Sequence, residues 1–485
     1  MWAIITKLRP LLLVLLLGLV ADVAHVPLGP RGALHYADAL WMQGHYYAAL
    51  QSYQPIDVRA APQAALHLGI LRLQRGEYYP AERALRTAMQ VGLDPSDYHL
   101  ALLYLGQALA ATGRSELAQD TWALIEDCRT PLACRYRGPS HILRAEEALR
   151  HTDMHTAEAE YRRALDLPLP PGWAALAQVR LALLTAAYDP SGAADLLHRP
   201  VPPPSFDLPW AAPLLPSSVV WLEQLEIALA SAPAVRTQRL GQIYLSMGFY
   251  ALAEGQFTQV PPGPLERGAR IYAAYSRWLG GDRAVGQAQL EALIAAAPDD
   301  AQARMLLAMA YLANQEDQAA RAQLDTVAQM TAGGPDLLVA WANWHIAQHA
   351  YPEASSMYQL AVAQAHTNQR GRYAMMGAQF HLRTTYELCS TGLPLAETAA
   401  AALPENSAAL TLLAAHQYYC GEMDKALLTA QQALDRGAGA EAGYYLGMAL
   451  RAVGQEAVGR WALIQAADSE PASIWRERAE RALVR

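Results

Sequence analysis

At 485 residues the chain is long enough for about three ordinary domains. Apolar residues make up 53% and charged residues 17%, against roughly 25% charged in an average soluble domain; a chain disordered throughout is thereby excluded. A net charge of −8, a pI near 6.0 and a mean hydropathy of +0.02 exclude a basic nucleic-acid binder and a polytopic transporter.

The first element is an apolar run over residues 11–21, preceded by Lys7 and Arg9 and broken by Asp22. A basic flank before a short apolar core has the form of a secretory signal or an N-terminal anchor. Residues 1–30 are therefore read as a signal sequence or membrane anchor. With the positive residues on the N-terminal side, the rest of the chain is expected outside the cytoplasm.

Beyond residue 30 the sequence repeats. Leu68-Gly69 is followed by Gly76, Tyr78, Ala81 and Leu85; Leu240-Gly241 by Gly248, Tyr250, Ala253 and Phe257; Leu446-Gly447 by Gly454. Candidate turn positions recur at Gly44, Gly76, Gly113, Gly248, Gly281, Gln315, His349, Gly421 and Gly454, and successive steps include 32, 37, 33, 34, 34 and 33 residues. This order resembles the tetratricopeptide repeat (TPR), a 34-residue helix–turn–helix unit. The resemblance implies an all-α, right-handed α-solenoid of about 10–12 TPR-like hairpins, since no unit buries its apolar faces alone. In each unit a small residue of the second helix (Ala49, Ala81, Ala118, Ala157, Ala253, Ala320, Ala354, Ala426) permits close approach of the first. A large one four later (Tyr53, Leu85, Trp122, Tyr161, Phe257, Leu324, Tyr358) fills the remaining gap on the same face.

The pattern weakens between Thr152 and Gly248, where one hairpin near 173–197 is legible. Residues 200–216 hold seven prolines in 17 positions, which forbids helix and favours an extended path. The expected organisation is an N-terminal TPR-like arm at 31–199, a Pro-rich linker or loop at 200–216, a C-terminal TPR array at 217–471, and a capping helix at 472–485.

Four cysteines, Cys128, Cys134, Cys389 and Cys420, permit two disulfides in an exported chain. Cys128 and Cys134 flank a short loop, and Cys389 and Cys420 fall late on the first helices of neighbouring repeats. Four unpaired thiols are the alternative. No metal site is expected: His345 and His349 stand four apart, but they fall on a packing and a turn position. No cofactor is expected either. The segment 437–443 (GAGAEAG) faintly resembles a phosphate-cradling loop, yet no strand precedes it and it falls where one helix ends. Nothing else in the chain groups catalytic side chains, so no enzyme is expected.

In the TPR family the first helix of each repeat lines the concave face. The resemblance therefore implies a partner-binding groove of Ile271, Tyr275, Trp278, Met305, Met309, Leu312, Asn343, Ile346, His381, Thr385, Tyr418, Tyr444 and Met448. It is rich in aromatic and methionine side chains, as adaptable interfaces are, and it lacks the Lys and Asn positions with which some members clamp a C-terminal carboxylate. The expected function is a non-catalytic protein–protein interaction scaffold, exported or membrane-anchored through its N-terminal segment. Its partner is a protein, with no nucleic acid and no small-molecule substrate. The alternatives are a permanent structural subunit of a membrane or envelope complex and an accessory factor in cell-surface polysaccharide assembly.

Overall fold

The structure is a computed structural model that describes residues 29–201, 204, 206, 219–331, 333–470 and 472–484. The signal or anchor segment, most of the Pro-rich stretch and Pro471 lie outside the described residues. Among the described residues there are helices and no strand. They form twelve antiparallel hairpins in tandem, from Pro30–Met42 with Tyr46–Tyr53 to Ala440–Ala452 with Glu456–Ser469. Three single helices complete them: the short Pro131–Cys134, Val219–Leu229, and Ile474–Val484 at the end. The fold is an α-solenoid of TPR-like hairpins.

The turns explain why the hairpins form where they do. All nine turn positions read from the sequence have positive φ, from 56° at His349 to 104° at Gly281. Seven are glycine, for which this conformation carries no Cβ penalty. The first helices often begin on proline one residue inside the start, as at Pro62, Pro95 and Pro335, where its missing N–H costs nothing. Asp94 and Asn406 cap their helices by accepting from Ser96 N and Ala409 N at 2.9 and 3.0 Å.

Packing follows the small–large pairing. The eight small alanines are fully buried, and the seven large partners are at most 5% exposed. The glycine of the Leu-Gly pair completes the contact. A Cβ at Gly69, Gly241 or Gly447 would come within 2.7 Å of Leu85, Phe257 or Leu463, the large residue of the facing helix. At Gly106 the same atom would be 2.2 Å from Trp122 Nε1.

First helices of successive hairpins touch each other: Pro62–Gln74 meets Pro30–Met42 and Pro95–Ala111, and Ala440–Ala452 meets Ser407–Tyr419 and Ile474–Val484. Second helices of successive hairpins do not approach as closely. The first helices therefore line the inner side of the curve.

The helices on either side of the Pro-rich stretch pack directly. Val179 and Leu183 share one core with Leu225, Tyr244 and Phe257. Tyr244 donates to the Leu183 carbonyl at 2.6 Å, and Gln256 to that of Ala187 at 2.8 Å. Within the stretch, Phe206 sits edge-on to Tyr136 at 6.2 Å, under the Arg135 guanidinium.

The chain also closes on itself. The last second helix, Glu456–Ser469, packs on the first second helix, Tyr46–Tyr53. The terminal helix Ile474–Val484 covers the apolar end of the array with Ala479, Ala482 and Leu483. Its polar face is engaged as well, because Arg476 and Glu480 reach the turn at Arg75–Glu77.

Candidate functional site

The C-terminal end of the inner face is hollowed. Two adjoining cavities of about 790 and 580 Å³ lie there, both bordered by Tyr419 and Arg478. Four helices supply their walls, with Thr367–Thr384 contributing Gln379, Leu382 and Arg383. Ser407–Tyr419 ends on the pair Tyr418-Tyr419, Ala440–Ala452 carries Glu441, Tyr444, Tyr445 and Met448, and Ile474–Val484 carries Trp475 and Arg478. Helical spacing turns Glu441, Tyr444, Tyr445 and Met448 to one side.

The rings form a continuous cluster. Tyr418 lies 5.3 Å from Tyr419 and 5.8 Å from Tyr445, and Trp475 lies 5.5 and 5.4 Å from Tyr444 and Tyr445. Tyr445 is the buried centre of this cluster, whereas Tyr419 is 49% exposed. The Arg478 guanidinium sits 4.4 Å over the Trp475 ring, a geometry that holds a cation at the rim without an ion pair. Burial, followed by the neighbouring Tyr444 and Tyr419 hydroxyls, pushes the Tyr418 phenol above its ordinary range. Burial also raises the Glu441 carboxyl, with Arg478 opposing and Glu470 adding to it. The Tyr418 phenol thus stays a neutral hydroxyl that donates and accepts, on a ring that offers apolar area.

The predicted groove residues fall into three groups. Thr385, Tyr418, Tyr444 and Met448 border the two cavities. Tyr275, Met305, Met309, Leu312, Asn343 and Ile346 lie further along and are half-buried, with Met309 45% exposed. Of these, Asn343 accepts from Tyr358 Oη at 3.3 Å, and Met305 and Leu312 pack on neighbouring cores. Ile271, Trp278 and His381 are corrected: all three are buried between helices. Ile271 belongs to a hairpin core, and Trp278 stacks on Tyr275 at 5.8 Å. His381 Nδ1 donates to the Tyr386 carbonyl, and its Nε2 faces the Ser355 hydroxyl. Position on the first helix put them in phase, but each is rotated into the interface with its neighbour.

Tyr419, Tyr445, Trp475, Arg478 and Glu441 are wall residues that sequence reasoning passed over. Arg478 stands 34 positions after Tyr444, one repeat length, so the phase runs on into the terminal helix. The pair Trp341–Trp344 packs between helices at 5.7 Å, with Trp344 Nε1 donating to the Asp317 carbonyl. The glycine-rich segment 437–443 ends one helix and starts the next. Glu470 accepts from Ala440 N there at 3.1 Å, so a carboxylate of the chain already occupies the helix start. The four cysteines are joined as Cys128–Cys134 and Cys389–Cys420. The second bond fastens the irregular turn Leu388–Gly392, which follows left-handed Thr385 and Glu387, to the end of Ser407–Tyr419.

Hairpins, inner face and aromatic basin define the class as an α-solenoid built from TPR-like units. No protein-family model matches the chain, and no curated protein does. Among solved structures it is similar to YrrB, described as a TPR protein with an unusual peptide-binding site: 18% identity over 40% of this chain and 97% of that one, TM-score 0.33. It is also similar to the APC/C hetero-tetramer Cut9-Hcn1, at 14% identity, 95% and 92% coverage and TM-score 0.33. Yeast Tom70 is similar at 11% identity, 94% and 96% coverage and TM-score 0.39. The fold assignment rests on the hairpins themselves.

Proposed function

We propose that this chain is a non-catalytic scaffold that holds an extended or helical segment of a partner protein against the inner face of its C-terminal repeats. The observation that carries this reading is the basin of Tyr418, Tyr419, Tyr444, Met448, Trp475 and Arg478. Ring area with polar tips, a flexible thioether and an arginine over a tryptophan are the side chains enriched where proteins anchor one another. No pair of groups in the basin is arranged as a nucleophile and its base.

Export or membrane anchoring through residues 1–30 belongs to the same proposal. The pairing of all four cysteines in two disulfides supports an oxidising compartment. Among the described residues no helix is long and apolar enough to cross a membrane.

The test is selection of displayed peptides on the full chain, followed by titration of the enriched peptides against Tyr419→Ala and Arg478→Ala. Both side chains are partly exposed, so the variants keep the fold. A loss of about tenfold or more in affinity is expected for each, in keeping with truncation of an aromatic or arginine anchor. Failure to enrich any peptide, or equal affinity for wild type and both variants, refutes the groove.

A further inference from the structure

The two ends of the solenoid meet across a seam of polar contacts between residues about 400 positions apart. Tyr47 N donates to Asp468 Oδ1 at 2.8 Å. Arg75 donates to Glu480 at 2.5 Å, and Arg476 donates to Glu77 at 3.2 Å. Arg75 also pairs with Glu77, and Arg476 with Glu480, so each cation touches both acids. Both arginines are buried, as is Asp468 at 6% exposure. A Cβ added at Gly76 would stand 3.9 Å from Ala472 Cα.

Asp468 is the unbalanced member. Arg75 and Arg476 pair with Glu77 and Glu480, leaving Arg75 Nη1 and Arg476 Nε without an acceptor, whereas Asp468 makes no ion pair among the described residues and is approached only by the Tyr47 and Tyr46 backbone N–H groups. Its Oδ2 makes no hydrogen bond among the described residues. A buried carboxylate oxygen with no donor is costly, and a proton on it removes the charge. The groups that act on Asp468 are Tyr46 and the Tyr47 amide at the start of the first second helix, Arg75 at the next turn and Glu480 on the terminal helix; His45, Glu77 and Arg476 are the other titratable or charged groups of those same segments.

We propose that this seam is a proton-operated latch: with Asp468 protonated the solenoid is held as a closed loop, and ionisation of Asp468 loosens the join between its ends. The latch concerns the join between the two ends of the solenoid and stands independently of what binds in the groove. The direction follows from linkage. Burial raises the Asp468 carboxyl to about 6 in the closed seam, against the lowering influence of the Tyr47 amide, Arg75 and the Tyr46 amide and with Glu480 adding to the rise. In an opened seam the group returns towards its ordinary value of 3.8. The closed form therefore binds the proton more tightly, and acidification favours closure. Between pH 7 and pH 5 the closed-to-open ratio rises about tenfold.

The Tyr47 amide is a direct reporter. It lies in the first turn of its helix, where N–H groups have no partner within the helix, and its bond is to Asp468 across the seam. Amide-resolved hydrogen exchange on the full chain, corrected for the intrinsic pH dependence, is the measurement. Tyr47 protection is expected to be about tenfold higher at pH 5 than at pH 7, and to be high and flat in Asp468→Asn, which keeps the acceptor and loses the charge. Equal wild-type protection at the two pH values overturns the latch, as does a pH response retained in Asp468→Asn. Should that variant fail to fold, His45→Gln decides. A response that survives there leaves the proton on Asp468, and a response that disappears moves it to His45 and overturns the proposal.

Discussion

Gly106 is the most demanding test of the packing account. It sits in the first helix of its hairpin, and a Cβ there would stand 2.2 Å from Trp122 Nε1 and 2.5 Å from Trp122 Cε2. Trp122 is fully buried, so the indole has no solvent to move into. Its Nε1 donates to the Leu103 carbonyl at 3.0 Å, and displacing the ring breaks that bond. Overpacking a tight core costs about 1–3 kcal/mol, and the lost hydrogen bond adds about 1 kcal/mol. Alanine returns about 1 kcal/mol through helix propensity. Gly106→Ala is therefore expected to destabilise the protein by about 1–3 kcal/mol. Gly255, in the helix Tyr250–Thr258, is the control: nothing lies within 4 Å of its added Cβ. There the same substitution is expected to stabilise by about 0.5–1 kcal/mol. Urea denaturation of both variants, with exchange of the amides in Pro95–Ala111 as a local readout, measures the pair. Shifts of the same sign refute the reasoning, because the two substitutions differ only in what the new methyl meets.

Two further predictions concern the cysteines and the buried histidines. Replacing Cys389 and Cys420 together by serine opens a loop with a sequence separation of 31, and replacing Cys128 and Cys134 opens one of 6. Chain-entropy arguments put the losses at about 3–4 and about 2 kcal/mol. Denaturation midpoints of the double variants check this, with mass spectrometry before and after reduction confirming the bonds. His381 and His416 are both fully buried, and burial lowers both below the ordinary 6.5; His381 also repels a charge on His416. The unfolded chain thus takes up protons that the folded chain resists, so their contribution is present above pH 6.5 and is lost as pH falls below it. His416→Gln is expected to show a smaller drop in urea midpoint between pH 7 and pH 5 than wild type. An identical drop removes these histidines from the account. Their sign is opposite to that of Asp468, so the two effects separate by variant.

Much of the hairpin was legible before any coordinates. Ala118 and Trp122, or Ala253 and Phe257, are contacts of one helix with its immediate partner, and the spacing of residue types along the chain encodes them. Gln315 and His349 were placed at turns by phase alone, although neither is a glycine, and both adopt positive φ. Phase was a poorer guide to which side chains face outward. Ile271, Trp278 and His381 lie on first helices as Met309 and Tyr444 do, yet they are buried against neighbouring helices. The basin was half legible for a related reason. Tyr418, Tyr444 and Met448 lie within recognisable repeats, whereas Trp475 and Arg478 lie on a terminal helix that, as a cap, had no inner face to contribute.

Residue types at a 34-residue spacing were enough to determine the hairpin, its turn and its small–large contact, because those interactions join positions close along the chain. The course of the whole solenoid is a sum of small rotations from one hairpin to the next, and no local pattern records that sum. Only the tertiary structure decided that Tyr47 meets Asp468 across 421 positions and that Arg75 and Arg476 are buried together. It likewise decided that the terminal helix serves at once as a wall of the basin and as half of the seam.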